Sequence, residues 1–294
     1  MLKEPTWEAT DIAGYLFLGG LAGASSVLAA GAQASKRTEL ERASKVTAIG
    51  AISLSMVALV HDLGRPERFI NMLRVFKPTS PMSVGSWVLS GYAPLAGLAA
   101  ASRITGRAPR LGAAATAGAA LLGPAVASYT AVLVADTAVP AWHEGFRELP
   151  FVFVGSGAAA AAGLGLLAAP VAETGPARRL AVLGAAAELA ATARMEQRVG
   201  LIAETYHQGR AGTLLRAAKL LTTAGAVGGA MLGRRSRVAA AASGAALLAG
   251  SACTRFGIFE AGRASVKDPK YTVVPQRERI SAADGFADAE PADT

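Results

Sequence analysis

The residues of this chain that could do chemistry gather at the ends of long apolar runs. Asp11 and Tyr15 open the first run, one turn apart on a helix and so on one face. The second run leads into His61–Trp87, HDLGRPERFINMLRVFKPTSPMSVGSW, which places four basic residues, two acids and three prolines between apolar segments. Its leading charges, Asp62, Arg65 and Arg68, come directly off the apolar run, where a polar partner or ligand can meet them at a membrane interface. Tyr129 lies within the fourth run, two turns before Asp136, and Glu188 is the acid well inside the sixth. Ionisable groups in or beside membrane segments are functional hypotheses by default, and proton relay is the chemistry open to Glu188. Each residue also has a plainer reading. Asp11 and Asp136 fit solvated interface charges, Tyr15 and Tyr129 aromatic packing, Asp62 with Arg65 a loop ion pair, and Glu188 a partner for an arginine across the bundle.

Some chemistries are excluded. The three histidines, His61, His143 and His207, all fall at span ends or in connections. A membrane haem needs axial histidines facing each other between helices, so none is expected. A single cysteine, Cys253, excludes an intrachain disulfide and any iron–sulfur cluster held by this chain alone; it reads as a packed thiol. Redox chemistry here would need electrons from a partner and a diffusible carrier to take them away.

The elements that position these residues are membrane helices. Of the 294 residues, 52% are hydrophobic and 17% charged, with a mean hydropathy of +0.37; soluble chains carry about 25% charge. Apolar runs of bilayer-spanning length recur without strand-like alternation, which excludes a barrel. The expected fold is an all-α membrane protein of about eight transmembrane helices, arranged as two four-helix bundles. The spans fall near 12–34, 46–60, 84–101, 111–135, 151–169, 180–193, 214–232 and 238–256. Residues 1–257 then form the membrane domain and 258–294 a polar C-terminal tail. Gly19 and Gly23 have GxxxG spacing, a sign of close helix packing. The start MLKEPTWEATD has three acids against one lysine, unlike a signal peptide, so the first run is a retained span.

The net charge of +8 sits mostly in short connections and is no nucleic-acid signature. Connections opposite the termini (KRTELERASK, SRITGRAPR, ETGPARR, GRRSR) hold 12 basic residues against 3 acids. By the positive-inside rule this favours a multi-pass protein of the cell membrane with both termini on the outer face. The longer, chemically richer connections fall on the termini side. There His61, Arg68, Trp142 and His143 are the candidates for partner docking, while Trp7, Trp87 and Trp142 read as interfacial belt anchors.

Four stretches together carry a resemblance: Trp7 to Ala24 with YLFLGGLAGA, DLGRPERF (Asp62 to Phe69), SPMSVGSW (Ser80 to Trp87) and YTAVLVADTAVPAW (Tyr129 to Trp142). This set resembles the NrfD-type polysulfide reductase family, the quinone-interacting membrane subunits of molybdopterin oxidoreductases. The resemblance implies a subunit without metal centres, binding menaquinone or ubiquinone near the termini side. It also implies a ferredoxin-like iron–sulfur partner with four clusters and a molybdopterin catalytic subunit, in a formate dehydrogenase-like or polysulfide or thiosulfate reductase-like complex. The family's headgroup site, a tyrosine of span four with two polar residues of span one, carries over to Tyr129, Asp11 and Tyr15. Asp62 and Arg65 stand beside it. The family pattern has an asparagine and a histidine in span one, so this chain departs from it there. A small-solute transporter gated by the His61–Trp87 loop and a passive membrane anchor are the rival readings.

Overall fold

The computed structural model describes Trp7 and residues 9–62 and 71–287, which form helices and turns with no strand among them. The long helices are α1 (Ala9–Ala34), α2 (Thr38–Asp62), α3 (Pro81–Thr105) and α4 (Pro109–Ala135). A short α5 (Pro140–Glu144) leads to α6 (Leu149–Ala168) and α7 (Gly175–Arg198). After a one-turn α8 (Glu204–His207) come α9 (Gly209–Met231), α10 (Arg237–Lys267) and α11 (Lys270–Ala287).

Local sequence explains where these helices begin and end. Proline stands in the first turn of α3, α4, α5, α6 and α7, where its missing N–H costs nothing. Gly106 stops α3 in the left-handed conformation (φ 69°), its N–H donating to the Ser102 carbonyl. The Ser236 hydroxyl caps α10 by accepting from the Ala239 N–H at 3.2 Å.

The eight long helices α1–α4, α6, α7, α9 and α10 fall, in chain order, into two groups of four, with α6 packed on α1 and α4 across the boundary. In the first, α1 packs on α2 and α4, and α3 on both α2 and α4; in the second, α6 packs on α7 and α10, and α9 on both. Helix α1 is the hub, since it also lies against α6 and α10 of the second group. The α1–α4 crossing is close because two glycines meet: a Cβ on Gly23 or on Gly123 would run into the other's carbonyl. Gly19, the partner expected for Gly23, has ordinary clearance.

Among the described residues, five helices, α1–α4 and α6, are long and apolar enough to cross a membrane. The other three expected spans exist as the helices α7, α9 and α10, which fall outside those five. The connection expected at KRTELERASK is mostly the first turns of α2. The expected domain boundary at residue 257 falls inside α10, which runs ten residues further with Ile258, Phe259, Ala261 and Ser265 buried. The polar tail is helical as α11 and is tied to α8 where Lys270 Nζ donates to Glu204 Oε2 at 2.8 Å. Cys253 is half-buried rather than packed in the core.

Candidate functional site

Four helices of the first group bring polar groups into one layer near the termini side. Tyr15 follows the start of α1 by about 9 Å, and Tyr129 precedes the end of antiparallel α4 by about 9 Å, at 1.5 Å rise per residue. The two phenols therefore stand at one depth, and their hydroxyls form a direct hydrogen bond. Helix α3 fits against this pair only because residue 85 is glycine: a Cβ there would fall into the Tyr129 ring. The Ser55 hydroxyl of α2 donates to the Tyr15 carbonyl at 3.2 Å, tying α2 to the same layer.

One turn nearer the surface, Asp11 Oδ2 accepts from His61 Nδ1 at 2.9 Å. His61 is 76% exposed and Asp11 24%, whereas Tyr15 is 1% exposed. Tyr129 is partly buried. The layer is thus graded, from an accessible acid–imidazole pair to a half-buried phenol and then a buried one. A carboxylate bonded to an imidazole can pass protons between water and a deeper donor. Two bonded phenols can direct one O–H at an acceptor without placing a charge in an apolar environment.

The structure brings together Asp11, His61, Tyr15 and Tyr129. His61, read from the sequence as a docking residue, is exposed and bonds to Asp11 of the candidate site. Asp62 ends α2 beside it, while Arg65 and Arg68 lie outside the described residues. Sequence reasoning missed Gly85 and Ser55. The first lies within SPMSVGSW, so the motif that carries the resemblance also seats the tyrosine.

The expected docking surface changes in part. Trp142 is fully buried, stacked on Trp7 at 5.8 Å and tilted on Phe259 at 5.4 Å, with Nε1 donating to the Ile258 carbonyl at 2.8 Å. It cannot present its ring to a partner or to lipid headgroups, because the continuation of α10 and Trp7 enclose it. Its neighbour His143 is exposed, with Nδ1 bonded to the Ala135 carbonyl at 3.1 Å. Trp87 is 44% exposed and meets Phe76 edge-on.

A second polar cluster lies inside the second group. Glu188 is about 15 Å from the end of α7, and Arg255 about 18 Å from the end of α10, close to mid-depth. Both are buried. Glu188 Oε1 accepts from the Thr254 hydroxyl at 2.5 Å, and Arg255 Nη2 donates to the Phe153 carbonyl at 2.7 Å with its guanidinium over the Phe153 ring. Arg255 Nε reaches the Leu16 carbonyl at 3.4 Å, next to Tyr15 in sequence. Glu188 Oε2, Arg255 Nη1 and Thr222 Oγ1 have no hydrogen-bond partner. The arginine expected across the bundle from Glu188 is therefore present, yet the two do not bond directly. Among the described residues, no group of three or more His, Cys, Asp or Glu could hold a metal ion.

No curated protein matches the chain. The family model described as "Polysulphide reductase, NrfD" matches residues 3–186. That span contains every residue of the tyrosine layer and ends two residues before Glu188. With more than half its length matched, and with five helices fit to cross a bilayer, the chain belongs to the polysulphide reductase NrfD family as a multi-pass membrane protein.

Proposed function

We propose that this chain is the membrane subunit of a molybdopterin oxidoreductase complex, and that it binds a quinone headgroup at the Tyr15–Tyr129 layer. Membership of the family supports the coarse assignment. The observation that carries the finer one is the meeting of two phenols from α1 and α4 directly beneath an Asp11–His61 pair. Quinone chemistry transfers two electrons and two protons, so its site needs a hydrogen-bond donor for a carbonyl oxygen and a proton connection to water. Tyr129, the less buried phenol, is the donor toward the headgroup, and Tyr15 holds it in place. Asp11 with His61 carries protons to the termini side. Electrons pass to or from a ferredoxin-like iron–sulfur partner docked on that side, where His61 and His143 are exposed and Asp62 ends α2. The quinone is menaquinone or ubiquinone.

In this reading all eight long helices cross the cell membrane, the charged α7, α9 and α10 being shielded by packing in the second group, and both termini face outward. Glu188 has a supporting part in moving protons within that group. Pro94 and Pro124 lie inside α3 and α4, but both helices continue through them, whereas transporter sites are built on helices interrupted at mid-depth. A solute pathway is accordingly the weaker reading. A passive anchor would need no paired phenols beneath an acid–imidazole pair.

Purification from native membranes in mild detergent, followed by metal and quinone analysis, tests the assignment. Iron with molybdenum or tungsten, together with bound quinone, is the expected result. A chain that purifies intact from those membranes with neither contradicts it.

A further inference from the structure

On the side opposite the termini, a cleft of about 1010 Å³ opens between the first turns of α7 and the segment after α9. Four arginines line it, Arg37, Arg178, Arg179 and Arg234, and no acid does. Such an accumulation of like charge is unfavourable unless an anion balances it. Glu173, next to the lining residue Ala172, is already committed: its Oε2 accepts from the Glu39 and Leu40 backbone N–H groups at 2.8 and 3.2 Å, capping α2. Arg37 donates to the Ala172 carbonyl at 3.0 Å. Arg178 Nη1 is buried without a partner. Burial, and then the charges of Arg234 and Arg179, hold the Arg178 guanidinium below its ordinary pKa.

The cleft is not polar throughout. From the arginines, α7 continues with Val182 (45% exposed) and Leu183 (67% exposed), an apolar strip running toward the middle of the bundle. A second groove of about 310 Å³, walled by Val27 and Leu28 of α1, shares Arg37, Arg179 and Leu183 with the first. Two apolar grooves thus converge on one set of guanidinium groups.

We propose that this cleft binds an anionic phospholipid, its phosphodiester seated among Arg37, Arg178, Arg179 and Arg234 and its acyl chains lying along the two grooves. Arginine pairs with phosphate oxygens through two parallel N–H donors, and basic pockets between membrane helices select anionic headgroups. A free phosphate shares the headgroup chemistry but leaves the apolar strip uncovered. The site rests on the chain lying in a bilayer and is independent of the quinone reading.

The test is native mass spectrometry of the full-length chain in neutral detergent, titrated separately with phosphatidylglycerol, phosphatidylcholine and inorganic phosphate. The wild type should retain phosphatidylglycerol well above phosphatidylcholine. Arg178→Gln with Arg179→Gln should weaken that retention about 30-fold, the loss expected of two arginines at an anionic surface. Arg110→Gln, on the same side but outside the cleft, should leave it unchanged. Leu183→Asn, at an exposed position that folding tolerates, should lower phosphatidylglycerol retention without altering phosphate binding. Equal retention of the two lipids by the wild type would overturn the proposal. So would displacement of phosphatidylglycerol by equimolar phosphate, or unchanged retention in the double variant.

Discussion

The two helix groups place their polar residues in opposite ways. In the first, Asp11, His61, Tyr15 and Tyr129 stand within about two turns of the termini side, and the outermost pair is open to solvent. In the second, Glu188 and Arg255 are buried near mid-depth, each with an atom left unbonded. Hydroxyls near an interface cost little to hold, because water and headgroups lie within reach. A carboxyl and a guanidinium inside a helix bundle are expensive and persist only where the surroundings compensate them. The first arrangement is suited to meeting a ligand. The second is suited to fixing helices together, as Arg255 does by reaching carbonyls of both α1 and α6.

Substitutions can break that contrast. Arg255→Met should have the largest effect on stability. It removes the positive charge beside buried Glu188 and the guanidinium's bonds to α1 and α6, and should destabilise the protein by about 3–5 kcal/mol, as for other buried charges that lose their compensation. Unfolding in detergent measures this. Adding Glu188→Gln should recover part of the loss, because the two sites share one environment. If the single variant is as stable as the wild type, Arg255 does not hold the groups together.

Gly85→Ala should come next. The new methyl meets the Tyr129 ring, and overpacking of this kind costs about 1–3 kcal/mol. Quinone turnover should fall with the ring displaced, although every hydroxyl is retained. Unchanged turnover would mean that the ring's position is not critical.

Asp11→Asn should leave stability nearly unchanged and lower quinone turnover by about tenfold, the low side of a proton-transfer contribution. His61→Gln should match it, and the double variant should be no worse than either, because they act as one unit. Additive losses in the double variant would separate the two residues.

The smallest expected effect lies where α6 begins and α7 ends, in a pair whose glutamate is buried and whose arginine is partly exposed. Glu148 starts α6 and bonds Arg198 at the end of α7, with the Arg198 Nε donating at 2.9 and 3.0 Å to its two oxygens. Hydrogen bonding from Arg198, opposed by burial, holds the Glu148 carboxyl below its ordinary pKa. Its stabilisation is therefore present above the ordinary glutamate value of about 4.3 and is lost as pH falls through the lowered folded value. Glu148→Gln should cost about 1 kcal/mol at neutral pH, and the difference from wild type should vanish in acid. A difference that persists in strong acid would show that the pair contributes by packing.

Much of the first group was legible in the sequence. The spacing of Asp11 and Tyr15, the long apolar runs and the SPMSVGSW and DLGRP stretches indicated helices and family. The second group was less so. Arg255 was missed because the apolar run was expected to end at Phe256, which put the arginine at an interface. The helix in fact continues through FEAGRASVK, because Phe259 and Ser265 pack around Trp142 and α5, and this leaves Arg255 deep inside. Trp142 misled for the same reason: a tryptophan among polar residues reads as an interfacial anchor until the covering helix is known. Periodicity within one helix does not reveal which neighbour covers its polar face.

The most direct test of the central claim is quinone turnover by the native complex carrying Tyr129→Phe. The substitution keeps the ring against Gly85 and removes only the hydroxyl. Turnover should fall by about 10²-fold, the loss typical of one well-placed donor, with the complex assembled and its metals retained. Unchanged turnover in an assembled complex would contradict a quinone site at the tyrosine layer.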